Sequence, residues 1–480
     1  MKVVLFALNA SWGHSNLAVR CLRPPLERAG FETVLLERNL KDRHLHLLEE
    51  LYRENADVYG FSCYIWNLEE MLRLAEALRE ILPASRIVFG GPEVSYGIER
   101  FDGMRFIDVI VSGEGEEIFP TVCRQLENGE AVARVVYGRA PSVMQDEGIL
   151  YRKNERTGEI LYYESSRGCP YSCAYCLSSA TQGVRAKSVE QTIADLAAFE
   201  ELPCKIIKFV DRTFNADPKR ANAIWSALLE KRFTKHYHFE ICASLLNEES
   251  FEILSKFPKG KLQLEIGLQS TAPDALEASA RHISPKKVID ASRRIHEWGN
   301  IHVHLDLIAG LPYETYERFA VSFDDAYGAS DLLQLGFLKL LYGTSLREKA
   351  EKYGYRCLPH PPYTVLQSKW ISYEELQRLS RIAEVLDRYL EGGRFAHALW
   401  YVMPLVPSPF AFWEGLTDFL RRVDERPLQR VSQPDAFRYF AEYVKSTVRN
   451  LDKKRFLELL GMDFSTHEHK NPPYFLRWEE

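Results

Sequence analysis

Short apolar runs separated by amphipathic stretches recur from residue 3 to residue 341, and this alternation restricts the chain to parallel-sheet architectures. In the first block the runs are VVLFAL (3–8), TVLLE (33–37), VYGFS (58–62), RIVFG (86–90) and DVIVSG (108–113). Between the third and fourth, Leu68, Met71, Leu72, Ala75, Leu78 and Leu82 follow a helical period. The expectation is an α/β unit over 1–135, a doubly wound sheet of Rossmann or flavodoxin type. In such sheets a ligand lies beyond the carboxyl ends of the strands. The segments there mix small groups with aromatics and acids: Asn9 to His14, Ser62 to Trp66, Gly90 to Ser95 and Ser112 to Glu116. Small residues let backbone approach a ligand closely. The start, MKVVLFALNAS, reads as a first strand rather than a signal peptide.

Residues 136–159 read as a linker. Six more strand candidates follow: 161–166, 205–211, 238–244, 262–270, 301–310 and 332–341, with helical patterns between them. They predict a partial (β/α)6 barrel of TIM type over 160–350. Three strands alternate in an unusual way. Gln263, Glu265, Gly267 and Gln269 share one face opposite Leu262, Leu264, Ile266 and Leu268; His238, Glu240 and Cys242 alternate with Phe239 and Ile241; His302, His304 and Asp306 alternate with Val303, Leu305 and Leu307. Helices must cover the apolar face, so the carboxylates, amides and imidazoles point into the lumen, where burial is costly unless they are satisfied. Either a polar ligand or a closed hydrogen-bond network is implied. Residues 351–480 predict a mainly helical domain, with Ser372 and Glu375 as a capping box ahead of an apolar stripe from Leu376 to Leu390.

Net charge is −6, and no block of Lys or Arg marks a nucleic-acid binder. The most apolar later stretch, 395–416, is cut by Pro404, Pro407 and Pro409, which argues against a membrane span. The nine cysteines, an odd number, argue against a disulfide framework and for a cytoplasmic protein with metal or redox chemistry. Three of them cluster in Ser-Ser-Arg-Gly-Cys169-Pro-Tyr-Ser-Cys173-Ala-Tyr-Cys176, directly after the first barrel strand. Structural zinc closes four ligands, and no fourth Cys or His follows within the next twenty-five residues. A cuboidal iron–sulfur cluster held by three thiolates keeps one iron open for a small ligand.

CxxxCxxC with an aromatic before its last cysteine, on the loop after the first strand of a partial barrel, resembles the radical S-adenosylmethionine (SAM) superfamily. That resemblance implies a [4Fe–4S] cluster on Cys169, Cys173 and Cys176, with SAM on the open iron. Cleavage of SAM then gives methionine and a 5′-deoxyadenosyl radical. Phe209-Val-Asp211-Arg-Thr-Phe214 stands where the family binds the SAM amino group, although Gly-Gly-Glu is absent. Glu265 to Ser270 is similar to the segment near the ribose, and Leu307 to Glu314 to the segment beside the adenine. The implied SAM contacts are Tyr175, Asp211, Glu240, Glu265, Gln269 and Gly310.

A doubly wound unit directly before such a barrel resembles the cobalamin (B12)-dependent radical SAM group. The implied cobalamin contacts are Asn9, Trp12, His14, Ser62, Tyr64, Trp66, Gly90, Gly91, Pro92, Glu93, Gly113, Glu114 and Gly115. The Asp-x-His-x-x-Gly motif of other cobalamin proteins is missing around His14, so the corrinoid is expected without its benzimidazole and without His on cobalt; Trp66 or Trp12 would cover its lower face. The region after 350 resembles a C-terminal extension, of unassigned role, in a large subgroup of these proteins. The implied reaction is methylation of an unactivated carbon, or phosphorus, through methylcobalamin. The alternatives are a radical cyclase or ring-rearrangement enzyme using the same cofactors, and a non-catalytic cobalamin sensor. His302, His304 and Asp306 are candidates for orienting substrate, and Cys357 for donating hydrogen. The expected partners are a small-molecule or peptide substrate and an electron donor such as flavodoxin or ferredoxin, with no nucleic acid and no membrane.

Overall fold

A computed structural model describes the chain except for residues 142–143, 145–146, 154, 156–157, 181–182, 469–472 and 477–480. Two six-stranded parallel sheets carry it. The first holds β1 (Lys2–Asn9), β2 (Glu32–Asn39), β3 (Val58–Ser62), β4 (Arg86–Gly90), β5 (Val109–Gly113) and β6 (Val135–Gly138) in the order β2-β1-β3-β4-β5-β6. The order reverses between β1 and β3, which is the switch point of a flavodoxin-like sheet. One face packs on Leu47, Leu51, Met71, Leu74 and Leu78; the other packs on Val19, Leu26, Phe119 and Val122. The strands are apolar on both sides because both faces are covered.

Two features inside the expected linker are structured. Val135–Gly138 is a sixth strand, paired with β5 from Ile110↔Val135 to Gly113↔Gly138. Four residues at a sheet edge, with Tyr137 exposed, leave almost no periodic signal. The following segment then buckles onto helix Leu17–Arg28: Glu155 binds both Arg20 and Arg23, the Leu150 carbonyl accepts from Arg23 Nη2 at 2.8 Å, and Tyr151 is buried against Ser15.

The second sheet runs β7 (Ile160–Tyr163), β10 (Ile206–Phe209), β11 (His236–Ile241), β12 (Leu262–Gln269), β13 (His302–Ala309) and β14 (Leu332–Phe337), neighbour to neighbour in chain order. A short antiparallel pair, β8 (Ser166–Gly168) and β9 (Val184–Ala186), brackets the cysteine loop. β7 and β14 are not paired with each other, so the barrel stays open. Along β12, Leu262, Leu264, Ile266 and Leu268 are fully buried beneath helices, and the intervening residues face the lumen, as expected.

After 350 comes a small pair, β15 (Arg356–Cys357) and β16 (Val365–Gln367), and then, among the described residues, five α-helices. Ser372 and Glu375 form the expected capping box on helix Tyr373–Tyr389. These helices share one continuous core with the barrel. Asp324, on a barrel helix, caps helix Pro409–Val423 by accepting from Ser408 Oγ and the Phe410 amide, both at 2.6 Å. Trp413 is buried in that core, whereas Trp400 is exposed. Among the described residues no helix is long and apolar enough to cross a membrane.

Candidate functional site

The cysteine loop leaves β7 through Ser165 and Ser166, and both are tied to Asp211. That carboxylate is fully buried and accepts from the Ser165 amide (2.8 Å), Ser165 Oγ (2.6 Å) and Ser166 Oγ (2.6 Å). Burial raises its pKa despite these three donors. Asp211 was expected to contact SAM. Both its oxygens are instead used inside the protein, so it is a strut for the loop, and its neighbour Arg212 reaches the cavity described below.

Cys173 is buried, and Cys169 and Cys176 are half-buried. A tight turn joins the last two: the Cys176 amide donates to the Cys173 carbonyl at 3.1 Å. The Ala174 amide donates to the Ser279 carbonyl and its carbonyl accepts from the Leu346 amide, so the loop is pinned to two other barrel units. Arg281 Nη1 lies 3.6 Å from Cys173 Sγ, and Thr213 Oγ1 lies 3.5 Å from Cys169 Sγ. Among the described residues no three His, Cys, Asp or Glu side chains converge on a single-ion site. Two buried polar atoms of expected SAM residues, Tyr175 Oη and Gln269 Oε1, have no hydrogen-bond partner in the protein. Each costs about 1–3 kcal/mol unless a ligand satisfies it. The residues present therefore fit a three-thiolate cluster with a polar ligand beside it. Gly310, also expected to contact SAM, gives its carbonyl to the Tyr355 hydroxyl at 2.8 Å.

Below this loop the lumen carries a charged network. Glu265 bonds His238 Nε2 at 2.9 Å and Lys208 Nζ at 3.2 Å, and Glu240 is its register partner on β11. Burial alone would raise the pKa of Glu265, but His238 and Lys208 outweigh it and pull the value down to about 2. Glu240, pushed by burial and then by the Glu265 charge, rises to about 7. The two carboxyls thus hold different protonation states near neutral pH. His304 Nε2 lies 2.9 Å from Asp306 Oδ1, off the line of a good hydrogen bond. His304 and Asp306 face the lumen, whereas His302 is exposed at the first residue of β13, the mouth opposite the cysteine loop. His302 is therefore placed away from any substrate at the cluster.

The Glu240 shift has a stability consequence. The native state holds a proton that the unfolded carboxyl, at its ordinary 4.5, has lost, so the stabilisation is complete below 4.5 and disappears as pH rises through 7. Glu240→Gln should therefore gain about 2.5 kcal/mol on the native chain between pH 5 and pH 8. Urea unfolding at the two pH values measures this; parallel stability curves would show the shift to be absent.

A cavity of about 700 Å³ separates the carboxyl edges of the two sheets, within the usual range for ligand sites. Asn9, His14, Ser62, Tyr64, Trp66, Gly90, Gly91, Pro92, Gly113, Glu114 and Gly115 line it from the first sheet. Tyr162, Glu164, Arg167, Leu177 and Arg212 line it from the barrel. Two expected residues do not. Trp12 is exposed away from it, and the buried Glu93 carboxylate binds Arg100 and Tyr363. Both depart from expectation because a loop's residue types do not fix which side chains turn inward.

Several local contacts shape the cavity. Tyr64 and Trp66 stack at 4.4 Å with planes 11° apart, and Trp66 Nε1 donates to the Leu8 carbonyl at 3.2 Å. Asn67, buried and absent from the sequence reading, holds this turn by accepting from the Tyr64 amide and donating to the Leu8 and Ser62 carbonyls. His14 stacks on Tyr162 and bonds its hydroxyl through Nδ1. Arg167, two residues before Cys169, binds Glu164 (2.7 Å), Glu114 (2.8 Å) and Glu116 (2.8 Å), and Arg185 also reaches Glu114. The cysteine loop and the β5 loop of the first sheet are thereby joined by ion pairs. The position of Arg167 just ahead of the cysteine motif was the one available signal, and its partners on the first sheet, Glu114 and Glu116, are about fifty residues away in sequence.

Family models match three segments: a B12 binding domain over residues 5–123, the radical SAM superfamily over 163–326, and a protein of unknown function model (DUF4080) over 351–480. Among curated proteins the chain is 28% identical to the cobalamin-dependent radical SAM methyltransferase TokK of Streptomyces tokunonensis, over 64% of this chain and 50% of that one. It is also 28% identical to the 2-(S-pantetheinyl)-carbapenam-3-carboxylate methyltransferase of Streptantibioticus cattleyicolor, over 72% of this chain and 55% of that one. The chain thus spans about half the length of these relatives. In fold it is similar to the radical SAM methyltransferase TsrM of Kitasatospora setae, solved with cobalamin and a [4Fe–4S] cluster, with a TM-score of 0.63 and 14% identity over 88% of this chain and 99% of that one.

Proposed function

We propose that this chain, which joins a B12-binding domain to a radical SAM domain and so belongs with the cobalamin-dependent radical SAM proteins, methylates an unactivated carbon of a small-molecule or peptide substrate. One observation carries the reading: the cysteine loop and the loops expected to hold the corrinoid are joined at one cavity through Arg167 and Glu114. When bound, the cluster supplies the electron that cleaves SAM to a hydrogen-abstracting radical, and cobalamin carries the methyl group that the substrate receives.

The chain's own residues divide the remaining work. Cys169, Cys173 and Cys176 would hold the cluster, with the Arg281 guanidinium 3.6 Å from the Cys173 sulfur. Gln269 has a buried polar atom free for SAM and the Tyr175 hydroxyl lies beside the Cys173 sulfur, with Glu265 on β12 and Gly310 directly after β13. Glu240 and Asp306 keep the lumen polar for the ligand side that faces them. The Tyr64–Trp66 stack offers a flat apolar floor to the corrin, and the Asn9, Gly90–Pro92 and Gly113–Gly115 loops form its walls. A reduced, cytoplasmic setting suits nine free cysteines, and a flavodoxin or ferredoxin would deliver the electron.

Anaerobic preparation with iron, sulfide and hydroxocobalamin, followed by SAM and a reductant, tests this. The expected products are 5′-deoxyadenosine and S-adenosylhomocysteine. 5′-Deoxyadenosine alone, with corrinoid retained, would select the cyclase or rearrangement reading; corrinoid retention with neither product would select a sensor. Because a ring nitrogen of His14 is held by Tyr162, His14→Ala should leave hydroxocobalamin affinity within about two-fold and its visible spectrum unchanged. A spectral shift in that variant would make His14 a cobalt ligand.

A further inference from the structure

The loop after β4 reaches past the cavity and locks onto the exit of β14. Its Gly97 backbone, at φ +59°, lies flat under Tyr342: a Cβ there would stand 2.4 Å from the Tyr342 ring. In the opposite sense, Gly343, at φ +85°, lies under Tyr96, whose ring atoms would be 2.4 Å from its Cβ. Each partner supplies one tyrosine and one glycine, so the two surfaces interdigitate in both directions. Arg100 closes the joint. Its guanidinium stacks 3.8 Å over Tyr342, which Arg347 covers at 3.5 Å from its own side. It donates to the Glu93 carbonyl (2.7 Å), the Tyr96 carbonyl (3.0 Å), the Gly97 carbonyl (2.9 Å), Glu93 Oε1 (3.1 Å) and the Tyr363 hydroxyl (2.6 Å). Tyr363, almost fully buried, comes from the segment after the barrel, so three parts of the chain meet here. Tyr96 also lines the 700 Å³ cavity, on the same loop as Gly90, Gly91 and Pro92.

We propose that this crossed tyrosine–glycine joint, clamped by Arg100 and Tyr363, sets the height of the β4 loop over the barrel mouth, which makes Tyr96, Arg100 and Tyr363 positioning residues for methyl transfer. The role in transfer rests on the proposed function; the joint itself does not. The Ser95 hydroxyl donates to the Gly91 carbonyl and accepts from the Gly113 amide, so a shift at Gly97 would move the β4 and β5 loops together. Radical formation would need only the groups held by the barrel, whereas methylation of a corrinoid held by the first sheet's loops, which would release S-adenosylhomocysteine, would need the two sheets in register. A displacement of about 1 Å can cost about a hundred-fold in such a step.

Gly97→Ala, loaded with cluster and hydroxocobalamin and given SAM with titanium(III) citrate, tests the joint. S-Adenosylhomocysteine per bound corrinoid should fall about ten-fold or more, with 5′-deoxyadenosine within about two-fold of the native chain. Amide hydrogen exchange over 91–101 and 339–344 should rise about ten-fold as the joint loosens. Tyr363→Phe, which loses only one hydroxyl, should move both readouts in the same direction by about three-fold. Unchanged exchange in both variants, or a parallel fall of the two products, would overturn the proposal. If the native chain retains no hydroxocobalamin, the functional reading falls alone, and the exchange measurement still decides whether the joint exists.

Discussion

Cys173→Ala should reduce bound iron from about four per chain to near zero and abolish 5′-deoxyadenosine formation, with the fold intact. The thiol is buried, with Arg281 Nη1 at 3.6 Å and the Tyr175 hydroxyl as polar neighbours; Arg281 keeps the Gly267 carbonyl through Nη2. The loop is pinned by the backbone bonds of Ala174 and Cys176 rather than by the sulfur. Removing a sulfhydryl therefore costs little in packing, whereas removing one of three thiolates leaves a cluster with two. Cys242→Ala is the control. Cys242 is also buried close to the loop and accepts from the Tyr171 hydroxyl at 3.2 Å, but it lies outside the motif. Iron analysis and visible spectra should show full loss for the first variant and native content for the second. Zinc in place of iron, or native iron in Cys173→Ala, would contradict the three-thiolate assignment.

Asp211→Ala should destabilise the barrel by about 3 kcal/mol, the scale for leaving several buried donors unsatisfied. Three donors would lose their acceptor at once, and the Arg220 guanidinium, whose charge favours the ionised carboxyl, would lose its counterpart. Because Ser165 and Ser166 lead directly into the cysteine loop, cluster occupancy should fall in the same variant. Asp211→Asn keeps the shape and one acceptor, and should lose about half as much. Urea unfolding and iron content of the two variants measure this. A loss in Asp211→Ala below about 0.5 kcal/mol, the range of ordinary surface changes, would mean that the carboxylate is not the strut described.

Much of the architecture could be read along the chain. Strand periodicity is local, so the alternation of Leu262 to Gln269 gave both the strand and its lumen face. The capping box at Ser372 and Glu375 spans four residues and was legible for the same reason. The edge strand Val135–Gly138 was not, because four half-exposed residues carry too short a pattern. Among the loop residues, the types indicated a ligand-facing edge, but Glu93 and Asp211 have side chains identical in kind to ligand contacts and are bonded internally instead.

The sequence by itself determined that the chain builds two parallel sheets and that three cysteines lie at the carboxyl edge of the second, because both follow from spacings of a few residues. Only the tertiary structure decided which polar groups remain free for a ligand. Arg167 reaches Glu114 across 53 residues and Arg100 reaches Tyr363 across 263. A buried charge or hydroxyl is spent or available according to partners that far away, and nothing in the local pattern records the pairing.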